Sequence, residues 1–334
     1  MRKPQARHPW ARFLALAAFA VAVGAGAAEP SADSAASFPN RPIRILVPFS
    51  AGSASDIFAR TVGARMTEAW GQQVVVDNRP SAGGVIATEM VARATPDGYT
   101  LLVVSAGHAV SAALYPNLPY DPVKDFAGVS NLANVPSILV VAPNRGIRNV
   151  KDLIAAAKAK PGELAYASPG IGSANHLASE YFRNLAGVQI THVPYKGIPE
   201  GLTAVIGGQV TFFLAPAVNA LPLVKDGKLL AIATSTGKRA AVLPDVPTLA
   251  EAGVPGYVFD PWFAMLAPAE TPRLIINKLN GVVVRALSLP QVKERLLAAG
   301  AEAAPTSPEA LDQHIRAEVT KFKKIVQDAG IKPE

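Results

Sequence analysis

Cysteine is absent from all 334 residues. That excludes disulfides, thiol nucleophiles, thiolate metal sites and a lipid attached through a cysteine. Charge is sparse as well: 17% of residues are charged while 50% are apolar, the balance of a folded globular chain rather than a disordered one. No block of Lys or Arg interleaved with aromatics occurs beyond the first residues, so no nucleic-acid partner is expected. Walker loops, Gly-x-Ser-x-Gly elbows and His-Glu-x-x-His pairs are missing. The run Gly170-Ile171-Gly172-Ser173-Ala174-Asn175 starts like a dinucleotide fingerprint, but Asn175 stands at its third glycine. No cofactor and no metal are expected.

The N-terminus reads as an export signal over residues 1–28. Arg2, Lys3, Arg7 and Arg12 precede the eleven-residue apolar run Phe13–Val23, too short to span a bilayer, and small residues allow cleavage after Ala27 or Ala28. A periplasmic, unanchored mature protein follows. The chain has 32 basic and 25 acidic residues; four of the basic ones fall in the signal, so the formal charge drops from +7 to +3. Residues 29–40 are small and polar, a flexible lead-in.

The mature chain is organised around Ile43–Arg60, where an apolar strand, a loop of Ser50, Ala51, Gly52 and Ser53, and a helix starting near Ala54 follow one another. Ser53 or Ser55 caps that helix, with Asp56 in its first turn. Strand and helix alternate to Val104, the pattern of a parallel sheet covered by helices. The Pro-rich stretch after Ala113 is a surface connection, and Val129–Val141, with Pro136 inside it, is a crossing to a second lobe. Alternation restarts from Asn149 to Thr234; Tyr257–Ala267 is the return crossing, and the remaining helices pack back on the first lobe without new strands. The lobes are residues 41–137 with 264–334, and residues 138–263.

Three small-residue junctions follow strands: Phe49–Ser53, Ser105–His108 and Ser168–Ser173. In open α/β sheets ligands lie beyond the carboxyl ends of the strands, where helix N-termini favour anions. With the first and third junctions facing each other, a dicarboxylate has a seat for each end. His108 and His176 sit just past junctions and either reach a ligand or serve structurally. Tyr195 and Lys196 either line the cleft or end a strand, and Trp262 and Phe263 read as core or hinge packing. A competing reading is an exported serine hydrolase, with Ser50 or Ser173 and His108 or His176 as its pair; a third is a sensor subunit.

The runs VPFSAGSASD (Val47–Asp56), ALYPNLPYDPVKDF (Ala113–Phe126), HVPYKG (His192–Gly197), GKLLAIAT (Gly227–Thr234), LPDVPTLAEAGVPGY (Leu243–Tyr257) and WFAMLAPAETP (Trp262–Pro272) carry a resemblance. They resemble the Bug-type (TctC-like) substrate-binding proteins of tripartite tricarboxylate transporters, over essentially the whole mature chain. The resemblance implies a type II-like periplasmic-binding-protein fold of two α/β lobes joined by two crossing strands, closing on a small organic carboxylate and delivering it to a membrane permease. It places ligand contacts at Phe49, Ser50, Ala51, Gly52, Ser53 and Asp56 in one lobe, and at Gly170, Gly172, Ser173 and His176 in the other. Ser105, His108, Tyr195, Ala215 and Pro216 complete the candidate set. Ser53 replaces a glycine usual in that family, and Ala215-Pro216-Ala217 is less polar than usual, implying a ligand less acidic or more aromatic than citrate at its far end.

Overall fold

A computed structural model describes residues 37–328; the expected signal and residues 29–36 of the lead-in lie outside them. The chain builds β1 (Ile43–Val47), α1 (Ala54–Trp70), β2 (Val74–Asn78), α2 (Val85–Ala92), β3 (Thr100–Ser105), α3 (Gly107–Leu114) and β4 (Phe126–Asn134). It then forms β5 (Ser137–Val141), α4 (Val150–Ala159), β6 (Ala165–Ser168), α5 (Ala174–Ala186), β7 (Thr191–Pro194), α6 (Ile198–Ile206), β8 (Phe212–Pro216), α7 (Ala217–Lys225) and β9 (Leu230–Thr234). β10 (Trp262–Pro268), α8 (Arg273–Ser288), α9 (Pro290–Ala298), β11 (Glu302–Ala303) and α10 (Pro308–Asp328) return to the first lobe.

Two sheets result, ordered β11-β4-β10-β3-β1-β2 and β7-β6-β8-β5-β9. The chain passes between them at Val135-Pro136 and returns just before Trp262, so Ser137 belongs to the second sheet and Trp262 and Phe263 to the first. A purely parallel sheet is not what forms. β1 runs parallel to β2 and β3, but β10 is antiparallel to both β3 and β4, and β5 to both β8 and β9, because outgoing and returning strands enter each sheet in opposite senses. The last helices are also interrupted by β11, two residues that pair with the edge of β4.

The interior strands β1, β3, β5, β8 and β10 are buried on both faces, which is why they are nearly continuous apolar runs, while the edge strands β2 and β7 are partly exposed. Side chains alternate across the pleat: Ile43, Ile45 and Val47 pack in one cluster with Phe58, Val62 and Met66 of α1, while Leu46 faces the opposite cluster with Leu102, Val104 and Val110. Each of the fully buried α1 side chains contributes about 1.5–3 kcal/mol. α1 ends at Gly71, which takes a left-handed φ of 67° so that its N–H reaches the Thr67 carbonyl. The end of the expected lead-in is packed rather than free. Phe38 is buried edge-on against Trp70 and Tyr99, so burial of one aromatic ring anchors it.

Candidate ligand cleft

Three helices begin at the cleft between the lobes; serines cap α1 and α5, and a serine lies just ahead of α3. Ser53 adopts extended φ/ψ and its Oγ accepts from the Asp56 N–H, while Ser173 does the same for the His176 N–H at 3.1 Å. Ser105 Oγ accepts from the Gly107 N–H at 3.2 Å, just ahead of α3. Capping leaves the first-turn amides of Ala54 and Ser55 in α1, and of Ala174 and Asn175 in α5, without intrahelical partners. The starts of α3 and α5 nearly touch. A methyl group on Gly107 would lie 3.2 Å from the Ala174 nitrogen, so glycine lets the two helices meet across the lobes.

The cavity enclosed there is small, about 20 Å³, room for a water molecule. The first lobe lines it with Phe49, Ser53, Ala54, Ser55, Ser105 and Phe263, and the second with Pro169, Asn175, Ile198 and Pro216. The antiparallel register of β10 sets Phe263 beside Ser105, and the Asn175 side chain is fixed by donating to the Leu214 carbonyl at 2.6 Å. None of these lining residues is ionisable. Positive potential comes instead from the helix ends, each equivalent to roughly half a unit charge. A carboxylate is therefore matched by oriented N–H groups and hydroxyls rather than by a counter-cation.

Of the candidate residues read from sequence, Phe49, Ser53, Ser105 and Pro216 line the cavity. Ser50 reaches instead across the lobes, its hydroxyl donating to Glu200 at 3.2 Å, while Ala51 is exposed beside it. Gly52, at φ 79°, donates its N–H to the Asp56 carboxylate. Asp56 turns back onto its own loop and pairs with Arg60 at 2.9 Å. Burial alone would raise its pKa, but the bonds from Arg60, the Gly52 amide and Asn78 hold it below the ordinary value. It braces the loop as an anion. Gly170 and Gly172 shape the opposite loop with φ of 107° and 76°.

The histidines stand elsewhere. His108 Nε2–H donates to the Pro122 carbonyl at 2.8 Å, beneath Tyr120 and Phe126, inside the first lobe and away from the cleft. Burial lowers its pKa to about 4. His176 stacks on His192 with ring centroids 4.3 Å apart, and burial lowers both to about 4, helped at His176 by Arg183 and at His192 by His176. The hydrolase pairing does not form: Ser173 Oγ is bound to a backbone amide, Ser50 to a carboxylate. The serine that a histidine meets is Ser168, 2.6 Å from His192 Nε2, and it is fully buried. Tyr195 ends a strand, its N–H donating to the Ser168 carbonyl at 2.8 Å, and Ala215 is buried within β8 rather than following it.

Ala54, Ser55, Pro169, Asn175 and Ile198 line the cavity without having been singled out as candidates in the sequence, and Phe263, read there as packing, lines it too. One signal was available. Ser53-Ala54-Ser55-Asp56 and Ser173-Ala174-Asn175-His176 are the same arrangement, cap, alanine, small polar residue and a first-turn residue whose N–H bonds the cap, written once in each lobe.

Among the described residues no helix is long and apolar enough to cross a membrane. The family model described as "Tripartite tricarboxylate transporter family receptor" matches residues 58–331. BugT of Bordetella pertussis is 37% identical over 323 residues, covering 96% of this chain and 98% of its own. Rpa4515 of R. palustris, solved with adipate, superposes with a TM-score of 0.86 at 38% identity, over 89% of this chain and 100% of its own. MatC of Rhodopseudomonas palustris, solved with bound malate, superposes with a TM-score of 0.83 at 34% identity, over 86% and 100%. With serine-capped helices facing each other across two α/β lobes and a match of this extent, the chain belongs to the tripartite tricarboxylate transporter receptor family, a family of solute-binding receptors rather than enzymes.

Proposed function

We propose that the protein is a periplasmic receptor that captures a small organic carboxylate between its lobes and delivers it to a tripartite tricarboxylate-type permease. The observation that carries this reading is the pair of serine-capped helix starts, at Ser53 and Ser173, aimed into one cleft lined without an ionisable side chain. Such a site holds a carboxylate by charge-assisted bonds of about 1.5–3 kcal/mol each. It leaves the ligand chemically unchanged. The adipate and malate of the two R. palustris relatives support the carboxylate class, and family membership with the basic and apolar pattern of residues 1–28 supports export and hand-over to a permease.

A thermal-shift panel of mono-, di- and tricarboxylates, each beside its neutral amide, tests this. At a hundredfold excess over Kd a bound acid stabilises the fold by about 2.7 kcal/mol, a rise of roughly 4 °C in Tm for a chain of this size. The amide should give no shift. With no titratable group on the wall, affinity should also stay constant between about pH 6 and 8 for an acid fully ionised across that range. Equal shifts for acid and amide would refute the carboxylate reading.

A further inference from the structure

The two loops that shape the cleft are each held by a side chain of the opposite lobe. Asn219, in the first turn of α7, donates from Nδ2 to the Gly52 carbonyl at 2.7 Å. Tyr115, which follows α3 in the first lobe, donates from its hydroxyl to the Ile171 carbonyl at 2.9 Å and lays its ring on Gly172. The arrangement is reciprocal. Lobe two grips the loop before Ser53, and lobe one grips the loop before Ser173.

Neither residue lines the cavity. Each nonetheless fixes the carbonyl of a residue one or two positions ahead of a helix cap, and so fixes the direction of the amides that follow. Gly52 is constrained on both sides: its N–H is taken by Asp56 of its own helix, its carbonyl by Asn219 of the other lobe. Both bonds exist only while the lobes are together. Asn219 Oδ1 is meanwhile buried without a partner, an oxygen that water would reach on opening. The Asn219 contact thus combines one bond gained with one acceptor desolvated, which leaves closure dependent on what else occupies the cleft.

We propose that Asn219 and Tyr115 are reciprocal positioning residues: they couple lobe closure to the alignment of the ligand-binding amides, and they set how long a ligand is retained rather than how fast it arrives. The proposal rests on the cleft being the ligand site. Ligand encounters the open form, in which neither bond is made, so the association rate should not depend on them. Escape requires both to break.

The test uses the full mature receptor and adipate as probe. Stopped-flow dissociation is measured for wild type, Tyr115→Phe, Asn219→Ala and Asn219→Asp, the last placing an oxygen against the Gly52 carbonyl. Each substitution should raise koff at least fivefold, Asn219→Asp most, with kon within twofold and the ligand-free Tm within 2 °C. A residue that only supported its own lobe would lower the ligand-free Tm instead. The absence of native cysteine allows a second readout: nitroxides at Ala64→Cys and Lys151→Cys, one on each lobe, report lobe separation by pulsed EPR with and without adipate. The short-distance population should shrink in all three variants. Unchanged koff and unchanged distances overturn the proposal while leaving carboxylate capture intact. If adipate does not bind, the distances alone decide it: a smaller closed population in the variants upholds the straps, whereas no difference, or no closed population in wild type, overturns them.

Discussion

Gly172→Ala is expected to weaken carboxylate binding by about 10–100-fold while leaving each lobe folded. Two effects act at this residue. Its φ of 76° is left-handed, where an alanine costs about 1–2 kcal/mol in open and closed forms alike, and that part lowers Tm by a few degrees. The added methyl would also overlap Cε2 of Tyr115, and this clash arises only when the lobes meet. Overpacking of this kind costs about 1–3 kcal/mol, which appears in full in the binding constant because the open form is spared. Isothermal titration of wild type, Gly172→Ala, Tyr115→Ala and the double variant separates the two. Gly172→Ala should cost clearly less affinity when Tyr115 is already alanine, since the clash has been removed. Additive losses would show that the glycine is needed only for its backbone.

Acidification from pH 6.5 to 4 is expected to destabilise the fold by several kcal/mol through three imidazoles. His108, His176 and His192 are each held near a pKa of about 4 in the folded protein, against 6.5 when exposed. The unfolded chain therefore binds more protons throughout that interval, and stability rises with pH across it. Their contribution is fully present above about pH 6.5 and is lost as pH falls through 4. For fully buried His108 it is on the order of 3 kcal/mol. His192 also carries the Ser168 contact at the foot of the Pro169–Ser173 loop, and a charge on either stacked ring opposes a charge on the other at 4.3 Å. Urea denaturation at half-unit pH steps should show the midpoint falling steeply below pH 6, and His108→Gln should flatten that slope by about one proton. A midpoint independent of pH from 7 to 4.5 would mean that these rings are solvated in the folded state.

Much of this was legible in the sequence because the responsible forces are local. The strand Ile43–Val47, the small-residue loop and the capped helix from Ala54 follow from apolar runs and helix-start chemistry alone, and Pro136 lies between β4 of one sheet and β5 of the other, where a proline ends pairing. The antiparallel sense of β5 and β10 was not legible. It depends on which strands become neighbours after two crossings, a choice that local pattern does not encode. His108 shows the same limit at the scale of one side chain. It sits three residues past the end of a strand, as a ligand contact would, but the helix turn directs its ring to Pro122. Asn175 and Ile198 enter the cleft for reasons of lobe packing, and Asn219 and Tyr115 matter through bonds to loops 167 and 56 residues away in sequence.

The most direct measurement is a crystal structure of the mature receptor with the carboxylate that gives the largest thermal shift. The expected result is a carboxylate between the lobes with its oxygens about 3 Å from backbone nitrogens of the first turns after Ser53 and Ser173, and no Lys or Arg side chain in contact. A ligand paired with a basic side chain, or seated outside the cleft beside Ser55 and Asn175, would contradict it.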